Sequence, residues 1–173
     1  MVVSPIIKDT SATTAEKARA RPETPSWLDS IQIPAGWIAL FAGYDSIPPR
    51  ACIKSISQAD AYLPDLVNAS DLVLTKCGYG MCSEIVAHRT PFMYVPRPGF
   101  FEEAYLLKNM VQPAGIPAVE MPWDMFKAGR WAEYVEKVGG VDARGVGPSL
   151  DGHIRAAEAV ETLLSKLYGK NHC

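Results

Sequence analysis

The stretch Asp71-Leu-Val-Leu-Thr-Lys-Cys-Gly-Tyr-Gly-Met-Cys-Ser-Glu-Ile-Val-Ala-His88 constrains the fold more than any other part of this chain. A short apolar run leads through two glycines, two residues apart, into a segment with helical spacing. A run that is apolar at successive rather than alternate positions reads as a strand buried on both faces. A strand passing through a glycine turn straight into a helix is one half of a βαβ unit, and such units build parallel sheets.

The rest of the chain repeats this alternation. Trp37 to Phe41 reads as a buried strand closed by Gly43, and Ala51 to Ser55 as a shorter one. Pro64 suits the first turn of a short helix with Leu63, Leu66 and Val67 on its apolar side. Asp71 to Thr75 is the third strand, followed by a helix over about Cys82 to His88. Phe92 to Val95 is a fourth strand stopped by Pro96 and Pro98, Glu102 to Met110 a helix, and Ala118 to Met121 a short final strand. A helical period runs over Trp123 to Val138 through Trp123, Phe126, Trp131, Tyr134 and Val135. After a glycine-rich loop over residues 139–152, another runs over Ile154 to Tyr168 through Ala157, Val160, Leu163, Leu164 and Leu167. The pattern predicts an α/β fold: a Rossmann-like parallel sheet with helices on both faces.

Residues 1–31 read differently. Thr10 to Arg21 is predicted as a short polar helix and Pro22 to Ser26 as a breaker. No apolar run strong enough for a core strand precedes Trp37. The expected division is a polar N-terminal segment over 1–31 and a domain over 32–170, with the sheet's first strand missing.

Composition bounds the function. With 48% apolar residues, 21% charged residues and a net charge of −2, no general attraction to nucleic acid or an anionic membrane is expected. No apolar run approaches a membrane span, and the start MVVSPIIKDTS lacks the basic region of a signal peptide, so a cytoplasmic chain with reduced thiols is expected. Cys52, Cys77, Cys82 and Cys173 show no C-x-x-C spacing and no nearby histidine cluster, so no metal is expected; no resident cofactor is expected either.

In parallel sheets ligands gather outside the carboxyl ends of the strands, where the loop Lys76 to Gly80 falls. Glycines there permit positive φ and let backbone N–H groups approach a phosphate. The helix that follows adds free N–H groups and its positive dipole end, and Lys76 can add a point charge. Glu84, one turn into the helix, can accept from two vicinal ribose hydroxyls, and Tyr79 can stack on a base. The alternative is a plain tight turn with a solvent-facing glutamate, and a lone G-x-G does not decide between them.

The segment Ala87-His-Arg-Thr-Pro-Phe-Met-Tyr-Val-Pro-Arg-Pro-Gly-Phe-Phe-Glu-Glu-Ala-Tyr-Leu106, together with Lys76-Cys-Gly-Tyr-Gly-Met-Cys-Ser-Glu84, resembles the C-terminal domain of GT-B glycosyltransferases. More specifically, it is similar to the glycosyltransferase-like N-terminal region of plant L-arabinokinases. The similarity spans about Ile33 to Val138 and is most specific over residues 64–110. It implies the C-terminal half of a GT-B fold that binds a nucleotide sugar, UDP-linked, as its substrate. By the same resemblance Glu84 holds the ribose, Gly78 and Gly80 admit the pyrophosphate with Lys76 nearby, and Glu102 and Glu103 face the donor sugar's hydroxyls.

Two departures bear on catalysis. Met81 stands where relatives usually carry a serine or threonine facing the phosphates, and a thioether donates no hydrogen bond. A whole GT-B enzyme also has an acceptor-binding domain, for which 173 residues leave no room, so a partner chain or a missing domain is expected to supply it. None of His88, His153 and His172 has a visible orienting carboxylate, and no catalytic residue is assigned. The kinase activity of arabinokinases is not implied, because no P-loop or kinase-type glycine motif is present. The chain thus reads as the donor-binding half of a glycosyltransferase, active only when completed. The alternative is an inactive nucleotide-sugar-binding relic or interaction module. A dinucleotide domain is set aside for want of G-x-G-x-x-G at a first strand.

Overall fold

A computed structural model describes residues 1–3, 26–43, 47, 50–57, 59, 60, 62–143, 145 and 149–169. The strands are β1 (Val2–Val3), β2 (Ala39–Ala42), β3 (Ile53–Ile56), β4 (Val73–Thr75), β5 (Phe92–Tyr94) and β6 (Ala118–Glu120). They form one sheet in the order β3-β2-β1-β4-β5-β6, with every pairing parallel. The helices are α1 (Leu63–Asn68), α2 (Tyr79–His88), α3 (Glu102–Leu106), α4 (Trp123–Lys127), α5 (Ala132–Val138) and α6 (Gly152–Tyr168). A 3-10 turn covers Ser26–Ser30, and a π-helical turn over Leu107–Val111 continues α3.

Strand side chains alternate between two buried clusters, which is why the strands read as continuously apolar. Leu72, Leu74, Met93 and Val95 face one cluster with Phe126 of α4 and Tyr134, Val135 and Val138 of α5. Val73 and Phe92 face the other with Val67 of α1, Cys82 and Ile85 of α2, and Leu106 of α3. The first cluster centres on Trp131, whose ring stacks on Phe41 at 5.8 Å and on Phe126 at 5.2 Å while its Nε1 donates to the Phe126 carbonyl. Each such aromatic pair contributes about 0.5–1.5 kcal/mol beyond its buried area. Helices therefore cover both faces, as the sequence pattern predicts.

Three expectations need correction. The strand thought missing is present: Val2 pairs with Leu40 on one side and Val73 on the other, placing β1 in mid-sheet. Both edges of the strand find partners, Val3 is buried, and the Met1 carbonyl accepts from Leu40 N at 2.9 Å. The helical period over 123–138 is two helices. Gly129 adopts φ +71° between them, and its carbonyl accepts from Gln32 N at 2.8 Å. Helix α2 begins at Tyr79 rather than near Cys82, taking Gly80 into its first turn, where N–H groups lack helical partners in any case. Finally, α6 forms as expected but buries none of its residues: Val160, Leu163, Leu164 and Leu167 are all exposed. The polar helix over Thr10–Arg21 and the breaker over 22–26 were expectations about residues that lie outside those described.

Candidate functional site

In this strand order the chain leaves β1 toward one side and β4 toward the other, and ligands in such sheets bind over that reversal. The loop following β4 is Lys76, Cys77 and Gly78, with Gly78 capping α2. Gly78 is extended at φ −127° and ψ 154°, and no side chain caps the helix. A Cβ built on Gly78 would meet nothing nearer than Arg97 Nη2 at 4.0 Å, and one on Gly80 would meet nothing within 4 Å. Positive φ is therefore not what these glycines provide, and packing within the described residues does not require them either. They leave backbone open at the amino end of α2, where N–H groups and the helix dipole favour an anion.

The sequence-predicted residues divide around this loop. Lys76 is half-buried, and Tyr79 is 68% exposed. Met81 lies partly buried against the cluster holding Val67, Val73 and Ile85, so its thioether fills space beneath the helix. Glu84 lies on a part-exposed side of α2, with Oε2 3.5 Å from His88 Nε2. That contact, charged only with a protonated imidazole, spans one turn of the helix. It gives Glu84 a structural occupation while leaving oxygen capacity over.

The acidic pair splits. Glu102 is exposed, but Glu103 is buried, with 9% of its surface accessible. Neighbours in a helix lie about 100° apart, so one of an adjacent pair turns in while the other faces solvent. The Glu103 carboxylate accepts the backbone N–H of Arg97, and its Oε2 has no hydrogen-bond partner. Burial pushes its carboxyl above the ordinary range, partly opposed by that N–H and by the Arg97 guanidinium.

Sequence reasoning missed Arg97. It follows β5 in the turn Arg97-Pro-Gly-Phe100, closed by Phe100 N donating to the Arg97 carbonyl at 3.1 Å. Its Nη2 donates to the Cys77 carbonyl at 2.5 Å, its Cζ lies 3.4 Å over the Phe100 ring, and its Nε is buried without a partner. The one available signal was a cation between two prolines just past a strand's carboxyl end. Beneath the loop the Cys77 thiol hydrogen-bonds the Cys82 sulfur, and this bond together with burial pushes Cys77 well above the usual thiol range. Tyr94, at the end of β5, donates to Glu120 Oε2 at 3.3 Å; burial and that carboxylate raise its phenol.

A cavity of about 200 Å³ lies at the opposite end of the sheet, among Ser70, Asp71, Arg89, Thr90, Pro91 and the 140–143 segment. It holds none of the sequence-predicted residues. Among the described residues no helix is long and apolar enough to cross a membrane.

The sheet order and its two helical layers define a Rossmann-like α/β domain. No family model matches the sequence. Over 151 residues the chain is 32% identical to L-arabinokinase of Arabidopsis thaliana, a match covering 84% of this chain. The chain spans 13% of that protein's length. It is thus distantly related to one segment of a protein of sugar metabolism.

Proposed function

We propose that the chain binds the donor of a GT-B glycosyltransferase, a UDP-linked sugar, and transfers the sugar only with an acceptor-binding partner or domain. The observation that carries this reading is the pair Gly78 and Gly80, which neither backbone dihedrals nor packing among the described residues demands. Beside them, Glu103 presents a buried oxygen without a partner. A ligand joining a phosphate to a hydroxyl-bearing ring answers both: its phosphate meets the open N–H groups, and its hydroxyl donates to the carboxylate. Glu84 takes the ribose hydroxyls, Tyr79 the base, and Lys76 lends charge, while Glu102 stands at the sugar end from the solvent side. The nucleotide sugar is substrate, and no cofactor is required.

A second reading, an inactive relic or interaction module, is favoured by Met81, whose packed side chain leaves the phosphates without the hydroxyl that relatives supply. Calorimetric titration with UDP against UMP, GDP and ADP separates the two. Saturable UDP binding, weakened several-fold by Glu84→Ala, supports the donor site. A folded chain that binds none of the four is the relic.

A further inference from the structure

We propose that the Arg97 guanidinium is the principal protein cation for the diphosphate, gripping it from the β5 side while the open N–H groups of α2 hold it from the other. This rests on the nucleotide-sugar reading but adds a residue and a division of labour that the glycine motif does not contain. Arg97 comes from a different loop than the glycines, yet its Nη2 lies 4.0 Å from the Cβ position of Gly78. Anything filling the space above Gly78 therefore meets the guanidinium.

The group is already oriented. One N–H is committed to the Cys77 carbonyl, the plane lies over Phe100, and the side chain as a whole is half-buried. A guanidinium carries five N–H donors in a fixed fork, so this arrangement retains donors for phosphate oxygens. Because two contacts hold it, binding sacrifices little side-chain freedom. Lysine presents a point charge on a flexible stem and cannot reproduce that fork.

The charge also has a local counterweight. Glu103 lies within electrostatic reach of Arg97 and takes its backbone N–H. An anion and a carboxylate are thus offered to the same cation from different sides. The bound molecule that satisfies this pair carries its negative charge toward Arg97 and a hydroxyl toward Glu103. That order, phosphate then sugar, fixes the direction in which the donor lies: base toward α2, sugar toward α3.

The test is calorimetry of the full chain with inorganic pyrophosphate, UDP, UMP and ADP, comparing wild type, Arg97→Gln and Arg97→Lys, with circular dichroism to verify folding. Arg97→Gln is expected to weaken pyrophosphate and UDP at least tenfold and UMP less than threefold. Arg97→Lys is expected to lose at least threefold for pyrophosphate, and it decides the matter should the glutamine variant not fold. Unchanged pyrophosphate affinity in a folded variant overturns the role of Arg97, and UDP binding tighter than ADP would then leave the nucleotide-sugar reading standing. Arg97-dependent pyrophosphate binding with no preference for UDP over ADP keeps the anion site and overturns that reading. A folded wild type that binds neither pyrophosphate nor UDP overturns both.

Discussion

The Glu103 carboxylate accepts the backbone N–H of Arg97, six residues before it, and buries an oxygen that nothing else in the described structure satisfies. One side chain thus closes the turn after β5 and holds acceptor capacity in reserve. A buried, half-satisfied carboxylate is destabilising in its charged form.

That cost has a definite sign with pH. The folded-state value of Glu103 is raised above its ordinary 4.5, so the folded chain holds this proton more tightly than the unfolded one. Its effect on stability is therefore most favourable below 4.5 and is lost as pH rises through the folded value. Glu103→Gln cannot ionise, so its melting temperature relative to wild type is expected to rise between pH 4 and pH 7. A difference that stays constant across that range would contradict the burial argument.

Gly78→Ala and Gly80→Ala should separate folding from binding. Neither new Cβ meets an obstruction, and alanine within a helix is favoured over glycine by up to about 1 kcal/mol. Thermal melts are expected to show a small loss for Gly78→Ala, because alanine caps a helix less well than glycine, and equal or slightly higher stability for Gly80→Ala, with UDP binding weakened in both. Melting temperatures that fall by several degrees would mean that the fold itself uses these glycines.

Gly129 is the contrasting case. It combines φ +71° with a Cβ position 2.2 Å from the Ser30 carbonyl oxygen, so alanine would both strain the backbone and collide with it. Gly129→Ala is expected to destabilise by more than about 2 kcal/mol in urea unfolding. A loss below 0.5 kcal/mol, roughly the size of an ordinary surface substitution, would show that the chain passes this point more loosely than described.

Helix α6 buries nothing, so its apolar residues should matter little to the domain. The double substitution Leu163→Ser and Leu164→Ser is expected to change unfolding stability by no more than about 1 kcal/mol, the sum of two surface effects. A larger loss in the same assay would place that face against the domain in solution.

The layered α/β plan was legible because a parallel sheet covered twice writes itself as apolar runs between helical periods, and Phe92 to Tyr94 or Val73 to Thr75 could be little else. Strand β1 was not, since Val2 and Val3 are too few to make a pattern and owe their place to partners 38 and 71 residues away in register. The break at Gly129 had a visible cause, yet the aromatic period across it was stronger than one glycine. At the candidate site, Glu102 and Glu103 were interchangeable as letters, and only the rotation of a helix distinguishes the buried one. Arg97 belongs to no spacing rule. Its position depends on two loops meeting in space, and a one-dimensional reading does not contain that.

The central place of β1 has a mechanical consequence. Within the sheet, the β2–β3 half and the β4–β5–β6 half are joined through one seam, β1, which pairs with Leu40 on one side and Val73 on the other. Opening of that one strand would part the two halves. The glycine loop emerges from β4, immediately beside that seam, so a molecule seated there would act as a rivet across a natural parting line. Amide exchange at Leu40, whose N–H donates to the Met1 carbonyl across that seam, would then slow on binding.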